Sequence, residues 1–130
     1  MSILGTKNMS PDEYRCKCCG QLAPQWKDGE VPLLLLADQK LRNLVGKPVH
    51  ITPHGGYRCK NQNMMSNGAG HSMHMEGKAS DKWVEGYTPE ELAKVVEQIP
   101  EFHNGGIGIY PNHGFVHGDI RDNGPARWEG

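Results

Sequence analysis

The chain has 130 residues, a formal net charge of −1 and a mean hydropathy of −0.65. That length holds one domain around a single core, over 1–130, with a cysteine-containing segment over 1–30. The near-zero charge gives no electrostatic footprint for nucleic acid or for an anionic membrane, and no stretch approaches the roughly 20 apolar residues of a membrane span.

The 17 glycines and 9 prolines predict many turns between short elements. In chain order, Ser10, Pro11, Asp12 and Glu13 read as a capping box that opens a short helical turn. The stretch from there to about Glu30 reads as irregular. Pro32 starts a helix with Leu33, Leu36, Ala37, Leu41 and Leu44 on one stripe, and Gly46 with Pro48 ends it. Val49 to Thr52 reads as a strand, followed by a glycine-rich turn that presents Tyr57 and Arg58. Ala79 to Trp83 is a second strand. Thr88, Pro89, Glu90 and Glu91 form another capping box, and its helix runs to about Ile99, before Pro100. Ile107 to Tyr110 and Phe115 to Ile120 form a hairpin, and the turn at Asp122, Asn123 and Gly124 leads into Ala126 to Trp128. These strands predict one largely antiparallel sheet with the two capped helices packed on it, a small α+β domain.

His74 and Asp81 lie seven residues apart, and His117 follows near the C-terminus. Two neutral imidazoles and one carboxylate are the donor set of a catalytic zinc, which keeps its fourth position for water. On one helix, seven residues would separate the first two groups by roughly 10 Å, whereas donors sharing a zinc at about 2 Å must lie much closer. The segment therefore folds back, with Gly70 and Gly77 as its permissive points, His74 on a loop and Asp81 on a strand. On the last hairpin, Phe115, His117 and Asp119 share a face, with Asp119 about 6 to 7 Å beyond His117. His113, in the preceding turn, is the other polar group able to approach the metal. Among the remaining histidines, His71 is a candidate to touch substrate or to support a ligand, His54 is a candidate to line the cleft, and His50 and His103 read as surface or satisfied structural residues.

Cys16, Cys18, Cys19 and Cys59 leave three readings open. They are reduced thiols, or the cluster forms a disulfide to Cys59, or they hold a second, structural zinc. Adjacent cysteines cannot all pair, and the Cys-x-Cys-Cys run is tighter than the usual arm of a zinc site.

The run Ser72 to Asp81 resembles the SxHxxGxAxD signature of the zinc D-Ala-D-Ala carboxypeptidases and their peptidoglycan endopeptidase relatives, which share a fold with the hedgehog signalling domain. Gly56, Tyr57, Arg58 and Asn63 resemble that family's GYR...N segment. Gly105 to Pro111 with Phe115 to Asp119 resemble its GGIGxYP...FVHxD segment, and Ala126, Arg127 and Trp128 its usual ending. The matches run in family order from about Leu33 to Trp128.

The resemblance implies a zinc metallopeptidase with His74, Asp81 and His117 as metal ligands. Arg58 would grip a substrate carboxylate or carbonyl, with Tyr57 and Ser72 beside it. Better-known members carry an acid three residues before the last histidine ligand, where this chain has Gly114. The VHxD branch, matched more closely, offers Asp119 as the base, with His113 as the alternative. The expected substrate is a peptidoglycan stem peptide or cross-link, cut by a carboxypeptidase-like or endopeptidase activity, as in a phage-type lysin. Leu33 to Leu36 lies too far inside the chain for a signal peptide, so the chain is expected to be a monomer, cytoplasmic as synthesised, that acts on the wall after release. A non-catalytic zinc-containing binding domain is the competing reading. A small structural protein organised by its cysteines is a third.

Overall fold

Helices begin where side chains satisfy the first unpaired N–H groups, and both capping boxes form in the computed structural model, which describes residues 7–65 and 72–130. Ser10 and Glu13 exchange side-chain-to-backbone bonds at the head of a 3₁₀ turn over Pro11–Tyr14. Thr88 and Glu91 do the same for a helix. Four helices follow in chain order: α1 (Leu33–Val45), α2 (Lys60–Met65), α3 (Pro89–Val96) and α4 (Pro100–His103). Five strands are β1 (His50–Ile51), β2 (Ala79–Trp83), β3 (Gly106–Tyr110), β4 (Phe115–Asp119) and β5 (Ala126–Glu129). They form one sheet in the order β1-β2-β4-β3-β5, antiparallel except for the parallel β3–β5 pair. The architecture is α+β, as expected. No helix among the described residues is long and apolar enough to cross a membrane. Gly70 and His71 lie outside the described residues.

Two local readings need correction. The helix read as running to Ile99 ends at Val96, because Pro100 forces the residue before it into an extended conformation (Ile99 φ −94°, ψ 116°) and starts α4. Helix α2 is an addition to the expected elements, since its sequence, Lys60 to Met65, is largely polar and lacks apolar periodicity. The leucine stripe of α1 is rotated from its expected phase. Leu34, Leu35, Ala37 and Leu41 are buried, whereas Leu33 and Leu44 are 50% and 53% exposed. Four consecutive leucines carry little phase information. A charged residue supplies it instead.

That residue is Asp38, fully buried on the inner face of α1. Its Oδ2 accepts from Tyr14 Oη and Ser80 Oγ, both at 2.7 Å, and its Oδ1 lies 2.9 Å from Lys82 Nζ. Lys82 is equally buried, donates to Ser80 Oγ at 2.8 Å and sits 3.8 Å from the centre of the Phe102 ring. A buried charge is tolerated only when paired and hydrogen-bonded, so the network selects one rotation of α1 over β2. Side chains alternate across a strand: Ser80 and Lys82 face the helices, which leaves Asp81 on the opposite face. The same alternation on β4 turns Val116 into the core and His117 away from it.

The corrected phase of α1 is measurable. Leu35→Ala should lower unfolding free energy by about 2 to 5 kcal/mol. Leu33→Ala should change it by less than about 0.5 kcal/mol. Urea titration of both variants decides the matter, and a larger loss in Leu33→Ala than in Leu35→Ala would restore the stripe first read from the sequence.

Candidate metal centre

Strand register supplies the first two members of the site. Asp81 on β2 stands directly opposite His117 on β4, so both side chains rise from the same face of the sheet. The third arrives on a 3₁₀ turn, Met73–Glu76, that begins with Ser72 as its cap and ends at Gly77. Ser72 Oγ accepts from the His74 N–H at 3.1 Å, which fixes where His74 leaves the backbone. Gly77 has φ 69°, and a Cβ there would lie 2.5 Å from Ala23 and 2.7 Å from the Trp26 indole, so the chain can turn back only with glycine at this point.

Three donor atoms converge. His74 Nε2 lies 3.3 Å from Asp81 Oδ1, and His117 Nδ1 lies 3.1 Å from the same oxygen. Metal-binding atoms of the three residues all fall within 4.8 Å of one another, and all three residues are buried. The far side of each donor is held. His74 Nδ1 is 2.9 Å from the Gly56 carbonyl, which can only accept, so the proton sits on Nδ1 and the Nε2 lone pair faces the cluster. His117 Nε2 is 2.8 Å from Asp119 Oδ2, so its proton sits on that side and Nδ1 faces the cluster. Asp81 Oδ2 accepts from Arg58 Nη2 at 3.1 Å, leaving Oδ1 inward. Two imidazole nitrogens and one carboxylate oxygen, each oriented from behind, suit a divalent metal of zinc type.

The electrostatics follow from these contacts. Burial holds the His74 pKa below the usual histidine value, against the pull of Asp81, so the ring is neutral and ready to ligate. Burial also opposes charge on His117, but its bonds to Asp119 and Asp81 outweigh this and raise its pKa. Asp81 is desolvated too, yet the neighbouring His74 and the hydrogen bonds from both rings hold it well below the carboxylate range.

The other expected site residues have varied placements. Asp119 is wholly buried and crowded by donors: Oδ1 accepts from Gly106 N at 2.9 Å and from Arg121 N and Nε at 3.1 and 2.8 Å. Its Oδ2 accepts from Arg121 Nη2 at 2.7 Å besides facing His117. His113 is exposed in the β3–β4 turn, its ring 6.2 and 6.1 Å from those of Tyr110 and Phe115. Arg58 also donates from Nε to the His54 carbonyl at 2.8 Å. The backbone N–H of half-buried Tyr57 bonds to the Tyr14 carbonyl at 2.8 Å. His50 stacks on Trp83 and His103 pairs with Glu97, both at the surface, as read.

Sequence reasoning missed three contributors: the Gly56 carbonyl, Arg121 and Trp128. The Trp128 ring lies 5.0 Å from that of His117, and its Nε1 donates to Tyr110 Oη at 2.9 Å. Gly108, paired with His117 in the sheet, makes room for it, since a Cβ there would lie 2.5 Å from the indole. A glycine opposite a candidate ligand was the available signal.

Comparison with known proteins identifies the family. A family model described as Peptidase M15 matches residues 7–119. The probable peptidoglycan L,D-endopeptidase MepK of Haemophilus influenzae is 40% identical over 81 residues, covering 58% of this chain and 40% of that protein. The chain thus spans well under two thirds of that relative's length. No solved structure matches it. With the match covering most of its residues, the chain belongs to the peptidase M15 family, a family of zinc metallopeptidases.

Proposed function

We propose that this domain hydrolyses peptide bonds in bacterial peptidoglycan, with a zinc ion held by His74 Nε2, Asp81 Oδ1 and His117 Nδ1. The observation that carries the reading is the convergence of those three atoms, each oriented from behind by Gly56, Arg58 or Asp119. Zinc in such a site supplies Lewis-acid polarisation of a carbonyl and acidifies water. Of the two activities expected from sequence, the endopeptidase is favoured, because the similar MepK carries that name. Action on the wall places the site of work outside the cytoplasmic membrane, as for a lysin.

The chain's own residues divide the remaining labour. Arg58 braces Asp81 and, through its further N–H donors, is positioned to take a substrate carbonyl or carboxylate. Asp119, expected as the general base, is better suited to another task. Its two oxygens accept five hydrogen bonds, it has no exposed surface, and, although burial opposes this, bonds from Arg121 and His117 hold its pKa well below the carboxylate range. Such a carboxylate is a weak proton acceptor. It fixes the tautomer of His117 instead. Of the two candidate bases, His113 is the one exposed to exchange a proton with solvent.

Purified peptidoglycan digested with the zinc-loaded chain should release muropeptides cut within cross-links or stem peptides, as read by mass spectrometry. Loss of only a terminal D-alanine would make the activity a carboxypeptidase, and an unchanged muropeptide profile would favour the non-catalytic binding domain.

Zinc affinity should fall with acidity in a defined window. Ligation requires neutral His117, and its pKa in the metal-free protein is raised, so the proton begins to compete above the ordinary histidine value of 6.5. Affinity measured by competition with a chromophoric chelator should be constant in the alkaline range and decline through neutrality; a flat profile down to pH 5 would contradict these ligands.

Asp119→Asn separates positioning from proton transfer. An orienting role predicts a loss of about 10- to 100-fold in zinc affinity, with turnover largely regained at saturating zinc. A base would show the reverse, unchanged affinity with turnover lost at any zinc concentration.

A further inference from the structure

Away from the His74–Asp81–His117 cluster, three cysteines converge where the N-terminal segment meets the loop after β1. The Sγ atoms of Cys16, Cys19 and Cys59 lie within 4.8 Å of one another. A tetrahedral zinc with Zn–S bonds of about 2.3 Å would hold its sulfurs a little under about 4 Å apart. Cys18, taken as part of a tight Cys-x-Cys-Cys run, argued against such a site; the folded chain pairs Cys16 with Cys19 instead, which is the ordinary C-x2-C arm.

The backbone around these sulfurs is arranged for thiolates. Cys16 N–H donates to the Gln21 carbonyl at 3.0 Å and Gly20 N–H to the Cys16 carbonyl at 2.8 Å, closing a tight loop with Gly20 at φ 73°. From the other side, Cys59 N–H lies 3.4 Å from Cys16 Sγ, and Gln62 N–H, in α2, lies 3.5 Å from Cys59 Sγ. Donors aimed at sulfur favour the ionised form, which is the metal ligand. A disulfide would use two of the three converging sulfurs and leave the third without a role.

We infer that Cys16, Cys19 and Cys59 bind a second, structural zinc as thiolates, while Cys18 lies outside their group. Each thiol releases its proton to solvent on ligation, and a turn of the exposed Cys18 side chain would supply a fourth sulfur and leave no open position for chemistry. The site ties two distant segments together. Cys59 follows Arg58, which braces Asp81, and stands three residues after Gly56, whose carbonyl orients His74. Metal at the cysteines therefore anchors the loop that holds two members of the other site from behind.

The test uses the full chain, kept reduced, stripped of metal and reloaded with zinc or cobalt(II). Zinc content should be about two ions per chain, falling to about one in Cys59→Ser and also in His117→Ala. The cobalt-loaded parent should show a thiolate-to-cobalt charge-transfer band in the near ultraviolet, lost in Cys59→Ser and kept in His117→Ala. If Cys59→Ser fails to fold, Cys19→Ser, at an exposed position, carries the same comparison. A parent chain without the charge-transfer band, or with cysteines found by mass spectrometry to be joined as disulfides after aerobic purification with zinc present, would overturn the second site. The His117→Ala result reports on the other cluster alone, so failure of either site is distinguishable from failure of both.

Discussion

Asp81 is the residue through which the rest of the site is held in register. One oxygen of its carboxylate meets two imidazoles, and the other meets a guanidinium. Its backbone also bridges: its N–H donates to the Gly55 carbonyl at 2.8 Å, and its carbonyl accepts from Thr52 N–H at 3.0 Å. A single strand position thus joins the loop after β1, the turn carrying His74 and the neighbouring strand β4. Burial of so many polar atoms is tolerable only because each has a partner. The outcome is a cluster held rigid before any metal arrives, and such rigidity favours a defined coordination geometry.

The reverse face of the same strand does different work. Ser80 and Lys82, either side of Asp81, meet Asp38 and set the rotation of α1 over the sheet. Replacing a buried ion pair of this kind with apolar side chains is often neutral or stabilising in other proteins. Its contribution here is to specificity of packing. The leucine run of α1 would accept more than one rotation, and only one gives the carboxylate its three partners. Alternation along β2 then places the packing determinant and the carboxylate of the candidate metal site one residue apart on opposite faces.

A third tier reaches the N-terminal segment. Gly56 passes so close to Tyr14 that a Cβ would lie 2.5 Å from the tyrosine Cα, and Tyr57 N–H bonds to the Tyr14 carbonyl. Tyr14 is itself buried, with its hydroxyl on Asp38. The segment before α1 is therefore part of the support for the loop that orients His74. The cysteine cluster lies at the same junction, two residues beyond Tyr14 and one beyond Arg58.

Much of this was legible in the order of residues. The capping boxes at Ser10 and Thr88, the glycine stop at Gly46 and the alternation of β4 depend on local rules, so the sequence determined them by itself. The trio His74, Asp81 and His117 was also visible, because it lies within distinctive local patterns. What the tertiary structure alone decided were the contacts that join distant segments. The phase of α1 depends on β2, the tautomer of His74 on Gly56, the engagement of Asp119 on Gly106, and the meeting of Cys16 and Cys19 with Cys59 on a separation of some forty residues. Local propensity reaches about one turn or one strand pair; the partner that satisfies a buried polar atom is chosen by packing, which no single stretch of the chain contains.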